Sequence, residues 1–303
     1  MKFARVRTAT GTMPVIVSGD NAFDLRELLD DITPASMTLL DAAAAAARDG
    51  RLTAVDLTGA EFAAPIARTG AVIAIGMNYA AHAAESGSAP PPIPVMFMKT
   101  PNTLAAPDDP FVIPARSVKT DWEVELAMVI KKRAYELTED EDPLDYVAGF
   151  TVADDLSERT YQIEESGGQW SKGKCLPGST PLGPWLVTPD EVQPQNLRLR
   201  SFVNDEPRQD SSTADMIFDC VTIIRHLSQY LALEPGDVVL TGTPEGVALS
   251  GRFPYLTPGD VVRIEIDGLG SQRHTMIAPG SVAAPGSVAP GSVAARGSAG
   301  DTA

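Results

Sequence analysis

The sequence predicts an α+β protein: a mixed β-sheet domain preceded by a small leading α+β domain. Two observations predict this. Strand-length runs of β-branched residues recur at 72–75, 124–130, 147–153, 238–240 and 261–266. They are separated sometimes by hairpin-length connections and sometimes by long crossovers, which fits a mixed sheet and not a regular strand-helix repeat. Many prolines and glycines fall between the runs. At 303 residues the chain has room for one large domain or two modest ones.

Residues 1–66 read as the leading domain, with strands at 2–8 and 13–18, a leucine-spaced helix at 23–29, and a second helix at 39–48 that contains the alanine run 42–47 and is closed by Gly50. Residues 67–278 hold the sheet together with a helix over 216–231, where Ile217, Val221, Ile224, Leu227 and Leu231 share one face. From Pro279 onward the motif Pro-Gly-Ser-Val-Ala recurs. A tail so poor in large apolar side chains does not offset its ordering entropy, so 279–303 is expected to be disordered.

Composition narrows the function. With 44% hydrophobic and 21% charged residues, and no stretch near the roughly 18 apolar residues of a membrane span, the chain reads as soluble. The first residues carry no apolar signal segment, so a cytoplasmic location is expected. A formal charge of -16 opposes nucleic-acid binding, because phosphate contacts need clustered lysine and arginine. It also repels small anions, so a site for one needs its own positive focus, either a metal ion or a local lysine and arginine cluster. The two cysteines, Cys175 and Cys220, are too few for a zinc cluster or a disulfide scaffold, and both are expected as thiols.

Two motifs fail on inspection. Residues 168–175 have phosphate-loop spacing, but Cys175 stands where serine or threonine holds magnesium, and Leu176-Pro177-Gly178 cannot open a helix cleanly. No Gly-x-Ser-x-Gly elbow exists, which removes a serine nucleophile of the α/β-hydrolase type.

One constellation survives. In Asp121-Trp122-Glu123-Val124-Glu125-Leu126 the strand alternation places Asp121, Glu123 and Glu125 on one face and Trp122, Val124 and Leu126 on the other. Carboxylates side by side repel, and the triplet alone reads more readily as a solvated sheet face than as a cation site. A second acidic pair, Asp154-Asp155, shifts that balance, because it ends the 147–153 strand just before a helix expected near Ser157. Two glutamates and one aspartate form an oxygen donor set for Mg²⁺ or Mn²⁺. In the segment 76–85, His82 and Glu85 stand three residues apart, so the carboxylate can orient the imidazole as a general base. His226 and His274 read as structural. Residues 86–92 follow as a flexible and then stiff segment suited to hinge a lid. Lys99, Arg159, Lys172 and Lys174 are the cations available for the anion site, with Arg159 expected on the helix after Asp155.

Over roughly residues 73–276 the chain resembles the fumarylacetoacetate hydrolase family. The resemblance rests on five landmarks in order: Gly-x-Asn-Tyr-x-x-His-x-x-Glu at 76–85, Phe97-Met98-Lys99, Asp121-x-Glu-x-Glu-Leu, the segment 149–159, and the segment 240–247. It implies a mixed sheet rolled on itself and a homodimer. It implies Glu123, Glu125 and Asp155 as ligands of Mg²⁺ or Mn²⁺, and His82 and Glu85 as a water-activating pair. Lys174 matches a catalytic lysine, and Lys99, Arg159, Gln162 and Thr243 match positions at the substrate, the role of Lys99 being the least defined. Residues 175–179 depart from the stretch found in many relatives, which bears on substrate selectivity. The activity implied is hydrolysis of a carbon–carbon bond in a 2,4-dioxo acid, an acylpyruvate or fumarylacetoacetate-like substrate. Decarboxylation, isomerisation or hydration of a 2-oxo acid on the same site is the alternative, and a non-catalytic binding or scaffold role is the remaining one.

Overall fold

The computed structural model describes residues 1–85, 87 and 89–281. Its centre is a mixed eleven-stranded sheet. In spatial order the strands of its main path are Ala54–Val55, Asn21–Asp24, Gly11–Ser18, Lys2–Thr8, Leu186–Val187, Val147–Asp154, Val124–Ile130, Val238–Leu240, Val72–Gly76 and Val95–Lys99, and Phe62–Ala63 pairs with Lys2–Thr8 off this path. Val238–Leu240 runs parallel to Val72–Gly76, whereas the Val124–Ile130 strand is antiparallel to both its neighbours. A second sheet of five strands is ordered Glu206–Ser212, Arg198–Val203, Val261–Ile266, Gly270–Ile277 and Phe111–Val112.

Alternation along Val124–Ile130 explains how the layers stack. Leu126, Met128 and Ile130 enter a core shared with Leu199, Val262, Ile264 and Ile266 of the five-stranded sheet. Ala127 and Val129, on the opposite face, join a second core with Val72, Ala74, Leu240, Phe3, Ile16 and Met37. All seven residues of this strand are buried. Each large aliphatic side chain taken fully out of water contributes about 1.5–3 kcal/mol, so the strand carrying the acidic residues is anchored from both faces. The leading segment is tied to the rest by the same sheet, through Phe3 opposite Leu186, and by that second core.

Three predicted elements differ. Residues 23–29 are not a helix. Asn21–Asp24 is a strand paired with Gly11–Ser18, and Leu25 and Leu29 are buried from turns that mimic helical spacing. The helix predicted over 216–231 is shorter, Cys220–Ser228, because the Asp219 side chain caps it by accepting the Thr222 N–H at 2.7 Å. No α-helix begins at Ser157. Ser157–Glu158 pairs with Thr120–Asp121, and one π-helical turn, Thr160–Glu164, follows. The 39–48 helix is present as Leu40–Arg48, and both cysteines are free. No described helix is long and apolar enough to cross a membrane. Of the tail expected to be disordered, 282–303 lies outside the described residues, as do Ser86 and Ser88 of the expected hinge.

Candidate metal centre and active site

The regular ladder is interrupted between Thr120–Asp121 and Val124–Ile130, and Glu123 lies in the interruption. Its backbone groups are taken up individually. The Glu123 N–H donates to the Asp154 carboxylate at 2.9 Å, and the Asp155 N–H donates to the Glu123 carbonyl at 3.0 Å. The next amide, that of Val124, donates to Gln209 Oε1 at 3.1 Å. These bonds bring the end of the 147–154 strand against the acidic pair. Oxygens of Glu123, Glu125 and Asp155 then lie within 4.8 Å of one another, in wholly buried surroundings.

The charges around this cluster do not balance. Arg159 bridges Asp121 and Glu123 at 2.8 and 2.7 Å, Lys174 bridges Glu123 and Asp155 at 2.7 and 2.6 Å, and Lys99 donates to Asp155. Three cations thus face Asp121, Glu123 and Asp155, and within the Glu123, Glu125 and Asp155 group Glu125 is the one with no cationic contact; Asp154, also wholly buried, faces the His274 imidazole at 3.4 Å. The partner of Glu125 is the Gly242 N–H at 2.7 Å. Burial, Asp155 and Glu123 together push the Glu125 carboxyl well above the usual carboxylate range. Burial acts in the same direction on Glu123, but Lys174 and Arg159 outweigh it and hold that group at about 2. Burial disfavours the Lys174 ammonium, yet Asp155 and Glu123 raise it. Three hard oxygen donors, one of them a carboxyl with no lysine or arginine to hold its charge, fit a divalent cation of the Mg²⁺ or Mn²⁺ type.

Two glycines permit the approach. Gly242, at φ +95°, turns its N–H toward Glu125 where a Cβ would meet Asn78 Cβ at 2.8 Å. Gly173 brings Lys174 in against the π-helical turn, where a Cβ would sit 2.4 Å from both Gln162 Cβ and the Glu158 carbonyl.

A cavity of about 290 Å³ opens above the cluster, lined by His82, Glu123, Glu125, Arg159, Gln162, Lys174 and Thr243 among others. Seven of the ten predicted site residues therefore meet in one cavity. Asp155 belongs to the acidic cluster just behind it. Lys99, predicted at the substrate, is instead 2% exposed behind Asp155, where it donates to that carboxylate and to the Ser179 carbonyl, and it does not line the cavity. Phe97 and Lys99 share the buried face of the Val95–Lys99 strand, and two residues beyond Phe97 the Lys99 ammonium meets Asp155 and the Ser179 carbonyl instead of the cavity. Asp121 departs from the acidic face as well: its oxygens accept the Ala248 and Leu249 N–H groups besides Arg159.

His82 sits on the short helix Ala80–Glu85 with Nδ1 3.8 Å from Glu85 Oε2, within ion-pair range and beyond hydrogen bonding. Glu85 itself accepts the Gly246 N–H at 3.1 Å and Arg252 at 3.2 Å. Burial lowers the imidazole below its ordinary 6.5, partly opposed by Glu123, so at neutral pH it is the free base that can accept a proton.

Sequence reasoning missed Gln209, a 1% exposed residue on the five-stranded sheet. Its amide donates to Thr243 Oγ1 at 2.8 Å and the Pro244 carbonyl at 2.9 Å, while its oxygen accepts from Val124 and Ser201. It thereby fixes the backbone between Glu123 and Glu125. The sequence carried only a weak signal, a glutamine inside an otherwise solvent-facing strand. Replacing it leaves several buried groups unsatisfied, at about 1–3 kcal/mol each. Gln209→Leu is expected to lower Tm and to weaken Mn²⁺ binding roughly tenfold or more. Unchanged Mn²⁺ affinity on titration would show that this network does not orient the ligands.

Comparison with known proteins agrees with this geometry. The family described as fumarylacetoacetate (FAA) hydrolase C-terminal matches residues 71–277. A relative from Burkholderia cenocepacia, whose name assigns hydrolysis only provisionally, is 48% identical over 199 residues, covering 64% of this chain and 70% of its own. The crystal structure of 5-carboxymethyl-2-hydroxymuconate delta-isomerase from Mycobacterium smegmatis is similar with a TM-score of 0.74 at 30% identity, covering 93% of this chain and all of that one. Maleylpyruvate hydrolase from Sphingobium sp. SYK-6, solved with manganese(II) and pyruvate, is similar with a TM-score of 0.74 at 28% identity over 92% of this chain and 99% of its own.

Proposed function

The chain belongs to the fumarylacetoacetate hydrolase family, and from that premise we propose that it is a Mg²⁺- or Mn²⁺-dependent hydrolase cleaving a carbon–carbon bond in a 2,4-dioxo acid. The observation that carries this reading is the buried Glu123, Glu125 and Asp155 cluster opening on the same cavity as a neutral histidine and a charged lysine. When bound, the ion supplies the positive charge that holds a 2-oxo acid head and stabilises the enolate leaving group. Glu123, Glu125 and Asp155 hold the ion.

Lys174, a buried ammonium beside the cluster, donates to oxygen on the substrate head as negative charge develops there. Arg159 keeps Glu123 and Gln162 in place from the other side. The His82 imidazole takes a proton from water, whose oxygen adds to the distal C4 carbonyl. The C3–C4 bond then breaks, leaving a carboxylic acid and the enolate of a pyruvate, and a proton returns to C3. Glu85 and Arg252 steady the helix that carries the imidazole.

Isomerisation of a 2-oxo acid on the same site is the second reading, favoured by the likeness to the delta-isomerase. The two differ in whether water is consumed. Incubation with an acylpyruvate in H₂¹⁸O and Mn²⁺ is expected to place ¹⁸O in the released carboxylic acid, with turnover lost on chelation. Isomerised product without ¹⁸O incorporation would decide for the second reading.

A further inference from the structure

The cavity is chemically two-sided. Glu123, Glu125, Arg159 and Lys174, with His82, Gln162 and Thr243, make its polar floor, and Met77, Phe97, Ile163, Trp170 and Leu249 make an apolar wall. Ile163 and Leu249 are 52% and 36% exposed at the mouth, and the Phe97 and Trp170 rings meet edge to face with centroids 5.8 Å apart.

The chain segments that build this wall hold no lysine or arginine. None occurs in residues 71–98, in 160–171 or in 241–251. Among the described residues, the cations lining the cavity are Arg159 and Lys174, and both are committed to floor carboxylates. Lys172, adjacent in sequence, is directed to the Glu165 carbonyl at 2.9 Å, and Arg252 to Glu85 at 3.2 Å.

A substrate whose 2-oxo acid head meets the polar floor extends its other end along this wall. A second carboxylate there would lose hydration against apolar side chains without gaining a partner, in a chain of net charge -16. We propose that the distal end of the substrate is uncharged and apolar. The substrate class is then an acylpyruvate with an alkyl or aryl acyl group, and dioxo dicarboxylic acids are discriminated against. This rests on the proposed hydrolase reading for the identity of the head, while the tail preference is a property of the wall itself.

The test uses two acids that lack the cleavable 4-keto group, 2-oxohexanoate and 2-oxoadipate, which differ at the far end by methyl against carboxylate. Calorimetric titration of the full chain with Mg²⁺ present is expected to give at least tenfold tighter binding of 2-oxohexanoate. Leu249→Arg should narrow or invert that ratio by supplying the missing cation. Equal or tighter binding of 2-oxoadipate to the parent protein overturns the inference, as does binding of neither acid. Turnover assays separate this from the reaction class. Cleavage of a dioxo dicarboxylate in preference to an acylpyruvate sinks the tail assignment and leaves the hydrolase reading standing. A tenfold preference for 2-oxohexanoate in a protein that cleaves no 2,4-dioxo acid does the reverse.

Discussion

Glu125→Gln is expected to lower kcat by about a thousandfold or more, since a divalent ion held by the proposed ligand set would supply several kcal/mol of charge stabilisation, while leaving Tm equal to or above the parent value. Glu125 is the carboxylate of the cluster without a cation, and burial with the neighbouring Asp155 and Glu123 already disfavours its charged form. Glutamine keeps an oxygen to accept the Gly242 N–H and removes the repulsion. Glu123→Ala makes the contrast. It takes a partner from both Arg159 and Lys174, two buried cations. Breaking a buried pair in this way costs about 3–5 kcal/mol, so activity and Tm should fall together. Calorimetric melting and Mn²⁺ titration of the two variants check this. A Glu125→Gln protein that keeps its activity would remove Glu125 from the ligand set.

His82→Gln is expected to lower kcat by about 10²–10⁴, the usual contribution of a positioned general base, with Mn²⁺ affinity unchanged. The imidazole lines the cavity without bonding to the acidic cluster, so its loss leaves the ligands in place. The pH profile follows from the same group. Burial lowers the imidazole below 6.5, and only the free base accepts a proton from water. Activity should therefore be flat in His82 ionisation above pH 6.5 and fall as pH drops through a value below it. A parent enzyme whose acidic limb lies above pH 6.5, or a His82→Gln variant that retains parent kcat, would assign the base elsewhere.

How much of this was legible in the sequence depended on range. The period-two pattern of 121–126 separated Glu123 and Glu125 from the packed Trp122, Val124 and Leu126, whereas Asp121, predicted to share their face, turns to the Ala248 and Leu249 amides. The 23–29 error has a local cause, because Leu25 and Leu29 are buried at a helical interval by turns, and spacing alone cannot separate the two. Glu123 lies where the ladder is broken, a position that the alternation does not disclose. What periodicity could not carry is the long-range pairing. Gln209 reaches Val124 across 85 positions, and Asp154 reaches the Glu123 amide across 31. Lys99 illustrates the same limit: its neighbours in sequence placed it near the site, and only the register of Val95–Lys99 against Val72–Gly76 puts it behind Asp155. The residue pattern itself offered Glu123, Glu125, the Asp154-Asp155 pair and His82 with Glu85, the family resemblance singled out Asp155, and the structure adds the physical reason the three carboxylates can act together, a buried carboxyl, Glu125, with no cation of its own.

The central claim is that Glu123, Glu125 and Asp155 grip one divalent ion. Crystals of the full chain equilibrated with Mn²⁺, and measured for anomalous scattering at the manganese edge, test it most directly. The account predicts one strong anomalous peak at about 2.0–2.3 Å from an oxygen of each of the three carboxylates, the range for a hard divalent ion on oxygen ligands. Density at saturating Mn²⁺ that shows no peak between these carboxylates, or a peak held by other residues, would contradict it.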